Sequence, residues 1–109
     1  MKHSIFLTVI IMFGLIGAIR SYSDGNTLFM NINANNEGAK DLEDLKVRVY
    51  IYDLDIIFQT NPFDLDNGDT EGKQFFWNIP EGTKHGDYLA RITVSNDNVR
   101  KVKHGLITI

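Results

Sequence analysis

Apolar and polar residues alternate along most of this chain. "LFMNINAN" sets Leu28, Met30, Ile32 and Ala34 against Phe29, Asn31 and Asn33. "LKVRVYIYD" sets Leu45, Val47, Val49 and Ile51 against Lys46, Arg48, Tyr50 and Tyr52. "IIFQT" is a short run stopped at Asn61-Pro62. "KQFFWNI" places Phe75, Trp77 and Ile79 on one side, and "DYLARITVS" places Tyr88, Ala90, Ile92 and Val94 opposite Arg91 and Thr93. A period of two puts alternate side chains on opposite faces of a half-buried strand. β-branched and aromatic residues suit that pleated surface. The last run, "VRKVKHGLITI", changes parity between Val102 and Ile107. Glycine inside a strand often marks a bulge, so the pattern predicts one long strand bulged near Gly105. No helix period emerges, except that "NNEGAKDLED" has room for one helical turn at 39–44.

The N-terminal run breaks the pattern. "MKH" leads into "SIFLTVIIMFGLIGAI", apolar to Ile19 and then closed by Arg20. A basic start, an apolar stretch and small residues after it describe a secretory signal. The run is shorter than the ~20 apolar residues a spanning helix needs. Ser21-Tyr22-Ser23 fits a small-x-small cleavage rule, which predicts a cut after Ser23, with Ala18 as the second choice. Arg20 beside the run also fits a short anchor that stays attached. The expected division is therefore residues 1–23 as signal or short membrane anchor and residues 24–109 as one domain.

Composition narrows the class. The 109 residues are 43 % apolar, a globular share, and contain no cysteine, so neither a disulfide nor a thiolate metal site can form. A formal charge of −3 is too mild and of the wrong sign for a nucleic-acid binder. The charge is uneven: residues 41–71 carry nine acids against Lys46 and Arg48, and residues 84–109 carry five lysines and arginines against Asp87 and Asp97. Such polarity fits solvated loops or head-to-tail contact between copies.

"DLDNGDTEG", Asp64 to Gly72, has the composition of a calcium loop. Its register is wrong for an EF-hand. With Asp64 at position 1, Gly68 and Asp69 fill positions 5 and 6 and Phe75 fills position 12. With Gly68 at position 6, Phe63 and Gln74 occupy positions 1 and 12. Weak binding by Asp64, Asp66 and Asp69, joined by Asp53 and Asp55, stays open, because calcium accepts varied oxygen geometry. Asn67-Gly68 equally predicts a tight acidic hairpin turn into the Phe75–Trp77 strand. His85 and His104 are too few for zinc. His85-Gly86-Asp87 has the residue types of a proton relay, yet no nucleophile motif accompanies it. No catalytic, cofactor or metal site is expected. Arg48, Tyr50, Tyr52 and Arg91 share outward positions and form the candidate protein-binding face, since tyrosine and arginine anchor interfaces. The plainer reading of those four is tyrosine–arginine packing across strands.

The order of runs resembles the immunoglobulin-like sandwich of the microbial, cell-adhesion-related (CARDB-like) type, over roughly residues 28–109. The resembling motifs are "NNEG" before "LKVRVYIYDLDI", then "FFWNIPEG", then "GDYLARITVSND". The resemblance implies an all-β sandwich of about six strands, corresponding to B, C, C′, E, F and G, with strand A missing. It implies a microbial source, and a tyrosine corner at Gly86-x-Tyr88-x-Ala90, in which the hydroxyl bonds nearby backbone. Ala90 stands where disulfide-bonded relatives carry cysteine, so packing by Phe75, Trp77 and Tyr88 must replace a bridge. The implied role is a secreted or cell-surface, non-catalytic adhesion module with a protein partner and no nucleic acid. Membrane contact would come only through an uncleaved N-terminus. Two alternatives follow: a self-assembling subunit completed by strand donation, and a calcium-dependent carbohydrate- or matrix-binding module.

Overall fold

The computed structural model describes residues 15–109. Eight strands run in chain order: β1 (Ile16–Asp24), β2 (Thr27–Asn35), β3 (Leu42–Ile51), β4 (Ile56–Gln59), β5 (Phe63–Leu65), β6 (Thr70–Asn78), β7 (Asp87–Ser95) and β8 (Arg100–Thr108). One 3-10 turn, Tyr52–Leu54, joins β3 to β4, and there is no α-helix among the described residues. All pairings are antiparallel. They form two sheets, β1-β2-β6 and β4-β3-β7-β8, with β5 added beside β3. The fold is all-β and sandwich-like, as the alternation predicts.

The alternation also fixes which face is inside. Leu28, Met30 and Ile32 from one sheet and Leu45, Val47, Val49, Ile51, Ile92 and Val94 from the other are fully buried. Each such side chain contributes roughly 1.5–3 kcal/mol over an exposed one. Ala90 is wholly buried, and Phe75, Trp77 and Tyr88 pack into the same core. The Tyr88 hydroxyl donates to the Lys84 carbonyl at 2.6 Å, a side-chain strap across the turn that enters β7.

In the full chain a further strand precedes the one expected to begin at Leu28. Residues 16–24 form β1, which pairs with β2 from Ile19↔Ile32 to Asp24↔Thr27 after an irregularity between Ile16 and Ile19. Gly25 turns the chain at φ 61, the positive φ that a two-residue hairpin needs at its first central position. The eight strands are thus two more than the six expected, the second addition being β5. The leader expected over residues 1–23 lies outside the described residues up to residue 14; from Ile16 its span coincides with β1, so a cut after Ser23 would remove that strand.

Three local expectations are corrected. Residues 39–44 hold no helical turn: β3 starts at Leu42, with Asp44 at φ 55. No bulge occurs at Gly105, because β7 and β8 stay in one register from Asp87↔Thr108 to Ser95↔Arg100. Val102 simply points outward, 42 % exposed, on the terminal strand of its sheet. The turn after Leu65 is not a hairpin, since β5 belongs beside β3 whereas β6 pairs with β2. It carries the chain from one sheet to the other.

Candidate binding face

On the outer face of the larger sheet, β3 presents Lys46, Arg48 and Tyr50, because its odd residues from Leu45 to Ile51 are buried. Antiparallel register then fixes their neighbours. Arg48 lies between Gln59 and Thr93, and Tyr50 lies between Ile57 and Arg91. Arg91 in turn faces His104 of β8. Strict alternation would continue Tyr52 along the same row. Instead the 3-10 turn begins there, closed by Asp55 in the left-handed conformation. Its geometry brings the Tyr52 ring back onto Tyr50, with centroids 4.9 Å apart and planes at 71°, an edge-to-face contact.

Three of the four expected residues converge. The Arg91 guanidinium carbon sits 5.9 Å from both the Tyr50 and Tyr52 ring centroids, within cation–π range. Arg48 shares the face but joins none of the cluster's ring or hydrogen-bond contacts. Two further members were not expected. The His104 ring lies parallel to Tyr52, with 11° between planes and 6.2 Å between centroids, and its Nε2 shares a 3.3 Å hydrogen bond with the Tyr52 hydroxyl. Asp55 accepts the Tyr50 hydroxyl proton at 3.1 Å. That hydrogen bond, with lesser help from desolvation and the negative charge itself, raises the Tyr50 phenol above its ordinary pKa. The sequence signal for His104 was its parity with Arg91, readable only once the β7–β8 register was known.

The other candidates have local roles. Asp64 Oδ1 accepts from the Asp44 amide at 3.1 Å, and Asp41 Oδ1 accepts from the Asn67 amide at 2.8 Å. The Asp69 amide closes a turn onto the Asp66 carbonyl, and Gly68 supplies φ 85. These loops are joined by Asn36, only 3 % exposed, whose Nδ2 donates to the Lys40 and Leu65 carbonyls while its Oδ1 accepts from Gly38. Among the described residues no group of three His, Asp or Glu side chains is placed to hold a metal ion. Asp87 accepts from the Thr108 hydroxyl at 2.7 Å.

The outer face of the smaller sheet is different. Tyr22, Phe29 and Phe76 form a row across β1, β2 and β6, with centroids 5.0 and 6.2 Å apart and planes within 17° of parallel. No family model matches this chain, and a search of the curated proteins finds no match either.

Proposed function

We propose that this chain is an exported, non-catalytic interaction module that binds a protein partner through the outer face of β4-β3-β7-β8. The observation that carries this reading is the Tyr50–Tyr52–Arg91–His104 cluster. It holds three interface-favoured groups, with His104 beside them, in fixed mutual geometry on an open sheet, so little side-chain freedom is lost on binding. Export rests on the basic start and apolar run of residues 1–19. The division of strands into β1-β2-β6 and β4-β3-β7-β8 is compatible with an immunoglobulin-like sandwich, and the adhesion-related relationship rests on the sequence motifs alone.

The test uses the full chain, immobilised, against extracellular and surface proteins of its source cell. A partner that is retained by the native chain and lost from a Tyr50→Ala, Tyr52→Ala, Arg91→Ala variant supports the reading. Equal retention by a folded variant contradicts it.

One observation favours self-assembly as a second reading. Strand donation at a missing strand A would require removal of residues 1–23, because β1 fills that place in the full chain. Yet β6 ends its sheet, and among the described residues all nine of its positions pair on one side only. A free edge can add a strand from another copy. Sedimentation of the full chain across a wide concentration range decides: a monomer throughout removes this reading.

A further inference from the structure

Resting on the proposed binding face, we infer the chemistry of its partner: an extended protein segment that is acidic at one end and apolar at the other, lying along β7. Register sorts the outward residues into rows. Lys46, Ser95 and Arg100 form the first row; Gln59, Arg48, Thr93 and Val102 the second; Ile57, Tyr50, Arg91 and His104 the third; and Leu89 and Leu106 the fourth. Cations therefore fill one end of the face. Leu89 and Leu106, 44 % and 66 % exposed, fill the other.

The cations lack counter-charges. The ion pair among the described residues is Lys73–Glu71, so Lys46, Arg48, Arg91 and Arg100 stand in none. The nearby acids, Asp44 and Asp97 beyond the first row and Asp55 beside Tyr50, form no ion pair with these cations. A cationic row is complementary to an acidic segment of a partner. Guanidinium groups suit planar carboxylates, which they grip through two parallel hydrogen bonds. Successive rows are two residues apart along a strand, roughly 6.6 Å, the same-face spacing of an extended peptide. Side chains i and i+2 of the partner then meet the cations, i+4 meets Tyr50 and Arg91, and i+6 meets the leucines.

A fluorescent heptapeptide, Glu-Thr-Glu-Thr-Tyr-Thr-Leu, and an order-scrambled peptide of the same composition provide the probe, with the full chain as receptor. The inference predicts saturable binding below about 1 mM that falls at least tenfold in Arg48→Glu and in Arg91→Glu. It also predicts weaker binding in high salt, weaker binding of the scrambled peptide, and no change in Lys84→Glu. Thermal melts confirm that each variant is folded. Absence of saturable binding, or binding indifferent to both arginine reversals, overturns it. Binding to phosphatidylserine vesicles without binding to the peptide overturns it in favour of a membrane surface. If a cellular partner is lost from the Tyr50, Tyr52 and Arg91 variant while the peptide fails to bind native protein, the binding face stands and only this inference falls.

Discussion

The two sheets expose aromatic residues in opposite ways. On β1-β2-β6 the rings of Tyr22, Phe29 and Phe76 stack on one another, so apolar groups satisfy apolar groups. On β4-β3-β7-β8 each tyrosine is tied to a polar or charged group: Tyr50 to Asp55, Tyr52 to His104, and both to Arg91. A stacked row stabilises the sheet that carries it. A tyrosine pair beside a guanidinium that forms no ion pair leaves charge directed outward, and on the proposed function that difference separates a structural face from a binding face.

The largest effect comes from removing the first strand of the stacked row. A chain starting at Asp24 loses the regular ladder from Ile19 to Ser23, together with buried Leu15 and Ile16. Net hydrogen-bond contributions of about 1 kcal/mol each, and the two core side chains, put the loss on the order of 5 kcal/mol or more. Urea denaturation beside a chain starting at Leu15 checks this; equal midpoints would show that β1 does not belong to the stable domain.

β1 also marks where the sequence was and was not legible. The inward residues of β2, β3, β6 and β7 were readable from alternation alone, because each strand has one buried face. In β1 the alternation of Ile19 and Ser21 against Arg20 and Tyr22 was present, as was the Gly25-Asn26 turn. Both were masked by an apolar run that satisfies the rules for a leader equally well. Arg20, anomalous beside a cleavage site, is ordinary on the exposed face of a strand. At the candidate site, Arg48, Tyr50, Tyr52 and Arg91 could be placed on one face, since parity is local. His104 and Asp55 could not, since one depends on long-range register and the other on a 3-10 turn that ends the strand early. The acidic loop misled by composition: Asp64 accepts a backbone amide, Glu71 pairs with Lys73, and the residue that ties the loops together is the uncharged Asn36.

Asn36→Ala ranks second. It strips the buried Leu65 carbonyl, the partly buried Lys40 carbonyl and the Gly38 amide of their partner, and a loss of about 1–3 kcal/mol is expected by chemical denaturation. Phe29→Ala, which removes the middle ring of the stacked row, should cost about 1–3 kcal/mol.

The smallest effect is electrostatic. A phenol pKa raised by Asp55 means that the folded state favours the protonated form. The associated stability is complete below the ordinary tyrosine pKa near ~10 and is lost as pH rises through the higher folded value. Absorbance titration of the phenolates should show one tyrosine ionising late. Asp55→Asn, which keeps a residue tolerant of the left-handed conformation, should bring that tyrosine back toward its ordinary range. An unchanged titration would remove Asp55 as the cause.

The most direct test of the contrast between the faces is a crossed measurement on Arg91→Ala and Phe29→Ala, reading stability and partner retention in the same preparations. Arg91→Ala should leave stability within about 1 kcal/mol of native, because an exposed cation–π contact contributes little, while abolishing retention of the partner. Phe29→Ala should lower stability and leave retention intact under conditions where it is folded. The opposite pattern, with Arg91→Ala retaining the partner and Phe29→Ala losing it, would contradict the assignment of the binding face.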